Sequence, residues 1–343
     1  MSEFKGLLRR CVYRPLLFVR VGGWLWRHLP GRLRCLLPFR AFGLYLHGLV
    51  RRHAERRQSH GTFFFRNRPE LELIRRSVDQ KSRGSNLEIS VLGCSKGAEV
   101  YSIAWTIRSA RPDLKLRLHA VDLSQEILDF AKDGVYSLKS SDILNGMNHE
   151  DMAKNERLTS CTYRDQGTHQ NLSIFERMTE REIKTMFDME DDQARVKSWL
   201  KEGIIWHPGD AGDPELVRVL GPQDMVVANR FLCHMEPLAA DRCLRNIARL
   251  VKPSGYLLVS GVDLDVRTRV AREMAWHPVT DLIREIHEGD ASLINGWPLE
   301  YWALEPFQAE RRDCMIRYAS VFQLGVHASL AFAFLGFYVL MPL

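Results

Sequence analysis

The stretch NLEISVLGCSKGAEVYSIAW at residues 86–105 constrains the fold more than any other part of this chain. Apolar and polar residues alternate as far as Leu92, which predicts a short strand, and apolar residues at helical spacing follow from Val100. Between them lies a run that begins with Gly93 and ends with Gly97. Glycines at a strand-to-helix turn let the backbone approach a ligand closely, and the helix start offers free N–H groups. A ligand site is therefore expected here.

The rest of the body alternates between strand and helix patterns. Ser124 is placed to be the N-cap of one helix, which ends near Gly134, and Pro237 suits the first turn of another. Because helical segments separate the strands, we predict an α/β fold with a doubly wound, parallel sheet. The strands are predicted at 87–92, 116–123, 224–231, 256–262 and 317–324.

The end of the second predicted strand indicates which ligand the turn could hold. Asp122 stands there, where a carboxylate can accept hydrogen bonds from ribose hydroxyls. The turn lacks the full G-x-G-x-x-G of dinucleotide sites and the lysine of a phosphate-binding loop. S-adenosylmethionine has a ribose and an adenine but no phosphate, so the pattern favours it as the cofactor.

Four sequence blocks resemble the chemotaxis-type protein methyltransferases, the CheR family. They are TFFFRN (62–67), GCSKGAEVYSIAW (93–105), AVDLSQEILDFAKDGVY (120–136) and KPSGYLLVSG (252–261). The resemblance covers roughly 62–136 and 204–262. It implies a Rossmann-like class I methyltransferase sheet that binds S-adenosylmethionine.

The resemblance also implies a set of site residues. Glu99 would meet the methionine ammonium of the cofactor, and Asp122 would meet the ribose. Asp210, within WHPGDA at 206–211, could accept a hydrogen bond from the adenine amino group. The other cofactor-binding residues that we predict are Thr62, Arg66, Gly93, Gly97 and Asn229.

One block departs from the family pattern and leaves the methyl acceptor open. The family's C-R-N-V-x-I-Y-F is ANRFLCHM at 228–235, with Asn229 for Arg, Arg230 for Asn and His234 for Tyr. Since these positions would line the methyl-transfer site, the acceptor could be a protein carboxylate, a lipid, a saccharide or a small metabolite. Arg66 or Arg230 would orient a carboxylate, whereas His234 would be the general base for a hydroxyl or amine.

The same departure leaves a second function open, a membrane-associated adaptor or sensor that binds the cofactor without methyl transfer. The family's small receptor-binding β-subdomain also has no clear sequence match. In its place stands a longer polar insertion at 137–203, in which TERE at 179–182 resembles a helix capping box.

The N-terminal region differs in charge from the rest. Residues 1–60 contain 13 Lys and Arg against two acids, a net charge of +11, whereas the remainder carries −5. Short helices are expected there, with aromatic residues among the arginines on an anionic membrane surface. A helical cap on the catalytic domain is the other interpretation, and nucleic acid is disfavoured. The aromatic residues in question are Trp24, Trp26, Phe39 and Phe42.

The other end of the chain is apolar. Residues 321–343 contain no Lys, Arg, Asp or Glu, so the tail at 325–343 is expected either to enter a membrane or to pack on the N-terminal helices. We predict a methyltransferase domain at 61–324 between these two terminal regions. The seven cysteines form no CxxC pair and no zinc-type spacing, which predicts a reduced, cytoplasmic compartment and no metal site.

Overall fold

The computed structural model describes residues 18–34, 36–54, 56, 61–138, 173–290 and 296–325. Their strands form two sheets, one of seven strands and one of three. In chain order the strands are β1 (Asn86–Leu92), β2 (Lys115–Asp122), β3 (Val135–Ser137), β4 (Phe187–Glu190), β5 (Gln193–Val196), β6 (Ile204–Pro208), β7 (Gln223–Asn229), β8 (Val251–Ser260), β9 (His277–Pro278) and β10 (Val321–Gln323).

The large sheet has the strand order β6-β2-β1-β7-β8-β10-β9. Its first five strands run parallel, and β10 pairs antiparallel with both β8 and β9. The order reverses direction beside β1, which puts crossover helices on both faces of the sheet. The molecule therefore has the doubly wound α/β fold that the alternation of strands and helices predicts, and its sheet is the Rossmann-like class I sheet that the resemblance implies.

The helices begin and end at the residues that the sequence indicates. Ser124 accepts a hydrogen bond from the Ile127 amide, and Gly134 closes the same helix in the left-handed conformation. The capping box between Thr179 and Glu182 is present in full. The helices are α1 (18–28), α2 (Gly31–Arg34), α3 (Leu37–His53), α4 (Arg68–Asp79), α5 (Ala98–Ala110), α6 (Gln125–Asp133), α7 (Glu180–Met186), α8 (Ser198–Lys201), α9 (Leu216–Leu220), α10 (Pro237–Ala248), α11 (Leu264–Glu273), α12 (Ile283–His287) and α13 (Cys314–Tyr318).

Two strand predictions were inaccurate. The segment 317–324 was expected to be one strand, but its first two residues complete α13 and only Val321–Gln323 is strand. Arg317 is buried there because its guanidinium binds the Glu305 carboxylate at 2.6 Å, so an ion pair rather than a β ladder explains its burial. The fourth strand also begins at Val251, five residues earlier than predicted.

The small sheet, in the order β3-β5-β4, is antiparallel and follows α6. It lies where no match to the family's β-subdomain was found, and it shows that the described part of the 137–203 insertion contains ordered strands. Its strands have three or four residues each, and most residues of β4 are exposed. Strands this short give little periodic signal, which explains why the sequence did not indicate them.

The N-terminal helices pack on the catalytic domain. Trp26 is 3% exposed, and its ring meets the Trp297 ring edge-to-face at 5.3 Å. A Cβ atom on Gly43 would lie 2.6 Å from Trp297, so α3 needs glycine at this crossing. The cap interpretation is therefore confirmed, and the placement of Trp26 on a membrane-facing surface was wrong.

Within the residues that the structure describes, no helix is both long enough and apolar enough to cross a bilayer. The predicted apolar tail at 325–343 lies outside the described residues apart from Gly325, and so do residues 1–17 of the N-terminal region.

Candidate functional site

A cleft opens at the carboxyl edge of the parallel strands, where β1, β2, β6 and β7 end side by side. It encloses about 1040 Å³, its open mouth included. Its floor comes from the turns that follow these strands, and one wall comes from the segment 61–71. Ligand sites in open α/β sheets lie at this edge, beside the point where the strand order reverses.

The structure brings nearly all predicted site residues together in this cleft. The exception is Gly97, which lies beneath the lining as the N-cap of α5. Those that line the cleft are Thr62, Arg66, Gly93, Glu99, Asp122, Asp210, Asn229, Arg230 and His234.

The two glycines of the turn are required by the backbone. Gly93 has φ +67°, and a Cβ atom there would lie 2.8 Å from the Phe231 ring. Gly97 has φ +82°, and its Cβ atom would approach Ala131 to 3.1 Å. Left-handed conformations disfavour residues with a side chain, so the turn depends on glycine at both places.

Asp122 fixes the same turn from the end of β2. Its Oδ2 accepts a hydrogen bond from the Ser95 amide at 2.8 Å, and its Oδ1 accepts one from the Ser124 amide at 3.3 Å. A carboxylate has about four lone-pair sites, so positions toward the cleft remain for further donors. Asp210, by contrast, is exposed, and its Oδ1 accepts from the Gly212 amide at 2.7 Å.

The segment 61–67 is attached to α5, which explains how so distant a stretch reaches the site. The Phe65 amide donates a hydrogen bond to the Ser102 hydroxyl at 3.0 Å. Asn67 caps the start of α4, and this helix directs Glu70 into the cleft. The segment and α4 therefore bring Thr62, Arg66 and Glu70 into the cleft.

Two carboxylates meet at the inner end of the cleft. Asn229 donates one hydrogen bond to Glu70 Oε1 at 2.7 Å and another to Glu99 Oε1 at 2.8 Å. The Ser260 hydroxyl donates to Asn229 Oδ1 at 2.7 Å, which holds the amide in this orientation. Asn229 was predicted to contact the cofactor, and here it fixes two acids that face the ligand.

The protonation of this pair is shifted. Burial, and next the neighbouring Glu99 carboxylate, raises the pKa of Glu70 to about 7. Burial also raises the pKa of Glu99, although the Asn229 hydrogen bond opposes that shift. Glu70 Oε2 is buried and has no hydrogen-bond partner among the described residues.

Near these acids, three arginines surround one carboxylate. Asp290, whose side chain is 0% exposed, accepts from Arg66 Nε at 3.0 Å and from Arg177 Nη2 at 2.7 Å. Arg230 Nη2 lies 3.5 Å from the same carboxylate. Burial, and next the charge of Arg66, lowers the pKa of Arg230 to about 10, so its guanidinium is still charged at neutral pH.

His234 ends the short 3₁₀ helix Leu232–His234 that follows β7. The strand predicted at 224–231 ends at Asn229, and the helical turn beyond it presents His234 to the cleft beside Arg230. The nearby Cys94 and Cys233 are buried, and burial raises the pKa of both thiols, to about 11 for Cys233. Protonated thiols are poor nucleophiles, which agrees with a packing role for both cysteines.

Three residues of the site were missed from the sequence. Glu70 stands four residues after Arg66 within a helical pattern, where an acid usually faces solvent. Arg177 and Asp290 lie in loops outside the four blocks that resemble the family, and only the folded chain brings them to Arg66. A polar residue at an otherwise apolar helix position was the one available signal, and it applies to Glu70 alone.

The donors and acceptors of the cleft suit S-adenosylmethionine. Asp122 can accept from ribose hydroxyls, and the Glu99 and Glu70 carboxylates can receive an ammonium group. The unpartnered Glu70 Oε2 is the observation that calls for such a donor, because a buried acceptor without one costs free energy.

Comparison with known proteins finds a family match for the segment that contains Thr62, Glu99 and Asp122. Residues 60–158 match the model of the CheR methyltransferase S-adenosylmethionine-binding domain. No curated protein matches the chain significantly.

Solved structures with detectable likeness include methyltransferases. N-methyltransferase NodS from Bradyrhizobium japonicum WM9 is 15% identical, with a TM-score of 0.33, over 68% of this chain and 87% of that one. Magnesium protoporphyrin IX methyltransferase from Synechocystis PCC 6803 is 11% identical, with a TM-score of 0.31, over 68% of this chain and 82% of that one. Since both scores are below 0.5, the assignment to the methyltransferases rests on the strand order and on the family match.

Proposed function

Because residues 60–158 match a CheR-type S-adenosylmethionine-binding domain, and the chain is an S-adenosylmethionine-dependent methyltransferase, we propose that its acceptor is a carboxylate. Arg66 and Arg230 would orient this group in the cleft. Among the acceptors left open by the sequence, a carboxylate agrees best with the positive charge of the arginines near Asp290.

The observation that carries the proposal is the cluster of three guanidinium groups around Asp290. Arg66, Arg177 and Arg230 all approach this carboxylate, and all three arginine side chains keep some exposure, between 16% and 23%. Arg66 and Arg230 also line the cleft. A second carboxylate could therefore bind between them through charge-assisted hydrogen bonds, which are the stronger kind.

The chemistry then needs alignment more than acid or base catalysis. When bound, S-adenosylmethionine would supply an electrophilic methyl group, with its sulfur as a neutral thioether leaving group. A carboxylate acceptor has no proton to lose, so no general base is required. The work left to this chain is to hold the acceptor oxygen in line with the methyl group and to exclude water. Arg230 follows directly from β7, so a rigid strand positions it for this role.

The test is the alkali stability of the methylated product. The full chain is incubated with methyl-labelled S-adenosylmethionine and a cell extract, and the labelled fraction is then treated with alkali. A methyl ester releases its label as volatile methanol, whereas methyl amines and ethers retain it. Label that survives alkali would overturn the carboxylate proposal and favour a hydroxyl or amine acceptor.

A variant of Arg230 tests whether the acceptor binds at the arginines near Asp290. Arg230→Gln removes the charge, and since φ at this residue is 63°, both side chains occupy the same left-handed backbone. We expect the KM for the acceptor to rise by about 10- to 100-fold, the usual weight of a charge-assisted hydrogen bond. Arg249→Gln, at an exposed position beyond α10, is the control and should change nothing. An unchanged KM in Arg230→Gln would remove this residue from the acceptor site.

We also propose that the enzyme works at an anionic membrane surface, through α1 and α3. Phe18, Val21 and Leu25 follow helical spacing on one face of α1, and all three are exposed. The Phe18 ring packs against the exposed Tyr45 ring of α3 at 5.7 Å, so the apolar face continues onto that helix.

The charge around this face supports a membrane rather than another apolar partner. Residues 18–54 contain seven arginines and no acid. Arg20, Arg27, Arg32 and Arg52 are exposed there. An apolar face bordered by arginines is typical of helices that lie in the headgroup region of anionic lipids.

Vesicle flotation tests the attachment. The full chain should float with vesicles of phosphatidylcholine and phosphatidylserine, and much less with phosphatidylcholine alone. Val21→Glu combined with Leu25→Glu should abolish flotation, since both side chains belong to the exposed apolar face of α1. Leu238→Glu, at a position 75% exposed on α10, is the matched control. If the double variant still floats and a chain ending at Leu324 does not, the apolar tail and not α1 to α3 holds the membrane.

A further inference from the structure

Glu70 is the one buried carboxylate of the cleft to which the sequence assigned no role. It is 4% exposed on α4, and it faces the ligand space rather than the protein core. Its Oε1 is bound by Asn229, whereas its Oε2 has no partner among the described residues. A buried acceptor of this kind calls for a donor that comes with the ligand.

We propose that Glu70 and Glu99 together bind the ammonium group of the cofactor, and that this binding releases a proton from the protein. Both Oε1 atoms contact one Asn229 nitrogen, so they lie within about 5.5 Å of each other. An ammonium has three N–H donors, which is enough to reach both carboxylates.

The charges around the pair explain the proton release. Besides Glu99 and Asn229, Glu70 faces Arg230 from the end of β7, and Arg66 acts on Glu99. With a pKa of about 7, Glu70 is largely protonated below neutral pH in the free protein. A cation beside it favours the carboxylate form, so the proton must leave as the ligand binds.

The pH dependence of binding has a definite sign. Below a pH of about 7 the ligand has to displace a proton, and affinity should fall by up to about tenfold per pH unit. The amino group of the cofactor has a pKa of about 7.7–8.0 in solution, so it is already charged in this range and does not contribute.

Calorimetry with S-adenosylhomocysteine tests this without turnover. Titrations at a pH of about 6, in two buffers of different ionisation enthalpy, count the protons released. We expect close to one proton for the full-length chain. Methylthioadenosine lacks the α-ammonium group of the amino-acid moiety, so it should bind without proton release. Equal proton counts for the two ligands would overturn the proposal, and this measurement needs no variant.

The variant Glu70→Gln provides a second test of the same proposal. It should lower the affinity for S-adenosylhomocysteine by about 10- to 100-fold at a pH of about 8, and abolish the proton release at lower pH. Glu72→Gln, two residues further along α4 and paired with Arg75 and Arg76, is the matched control and should bind normally. Unchanged affinity in Glu70→Gln would leave Glu99 as the sole ammonium ligand.

This inference rests on cofactor binding in the cleft and not on the proposed carboxylate acceptor. An alkali-stable product would contradict the carboxylate acceptor and leave the proposed role of Glu70 unaffected. Absence of proton release would contradict the role of Glu70 and leave the carboxylate acceptor unaffected.

Discussion

The acids of the cleft, its acidic wall, stand at the ends of neighbouring strands and helices. The basic wall consists instead of arginines from three distant segments that surround a single buried carboxylate. Asp122 and Glu99 belong to β2 and α5, which pack beside β1, so the regular part of the fold brings them together. Arg66, Arg177 and Arg230 all approach Asp290, and Arg177 also donates a hydrogen bond to the Arg66 carbonyl oxygen.

This difference separates two tasks of the enzyme. The acidic wall, to which we assign the cofactor, is built from the regular part of the fold. The basic wall, to which the proposed function assigns the acceptor, combines Arg230 at a strand end with residues of loops, which can change without disturbing the sheet. Asp290 is therefore expected to matter for stability and Asp122 for cofactor affinity.

The largest expected effect comes from Asp290→Asn. It removes the charge that three guanidiniums share, and the carboxylate is fully buried. Breaking a buried ion pair from one side typically costs about 3–5 kcal/mol in the free energy of unfolding. Urea denaturation measures it, with the exposed Asp281→Asn as a control expected to change little. A loss below about 1 kcal/mol would mean that the arginines do not depend on Asp290.

Asp122→Asn should have the next largest effect, on the other wall. The amide would present N–H groups to the Ser95 and Ser124 amides or to the ribose, so at least one hydrogen bond is lost. We expect cofactor affinity to fall by about 1–3 kcal/mol. Calorimetry measures it, and Asp129→Asn, exposed on α6, provides the control. Equal affinities would show that Asp122 supports the turn but does not bind the ribose.

The two walls also differ in how well the sequence predicted them. Gly93, Glu99 and Asp122 belong to motifs in which strand and helix periods are regular, so their neighbourhood follows from the order of elements. Asp290 follows α12 in a loop, and no local pattern relates it to Arg177. Contacts between loops distant in the sequence depend on how the whole chain packs, and a single sequence holds no periodic trace of them.

The errors in the fold also come from contacts between distant segments. The aromatic and β-branched residues of 317–324 suggested a strand, but the Arg317 ion pair with Glu305 holds the first part in α13. Trp26 was placed on a lipid-facing surface because a helix that mixes Trp and Arg has apolar residues on two sides. The sequence alone does not show which of these sides is buried. Its partner Trp297 lies far along the chain, and that contact decides which side is buried.

The smallest expected effect, in a variant of His234, distinguishes orientation of the acceptor by arginines from general-base catalysis. If the acceptor is a carboxylate, no proton moves in the transfer, and His234→Phe should change turnover by no more than about threefold, below 1 kcal/mol. The His277→Phe variant, at an exposed position on β9, is the control for replacing a histidine. Cofactor affinity should be unchanged in both variants.

The pH profile gives the same test without a variant. A histidine base with an ordinary pKa of about 6.5 would make the rate fall as the pH drops through that value. A carboxylate acceptor held by Arg66 and Arg230 stays charged throughout this range, so the rate at saturating cofactor should remain flat down to a pH of about 5.5. A fall centred near 6.5 that disappears in His234→Phe, together with a large loss of turnover in that variant, would make His234 the base. The acceptor would then be a hydroxyl or an amine.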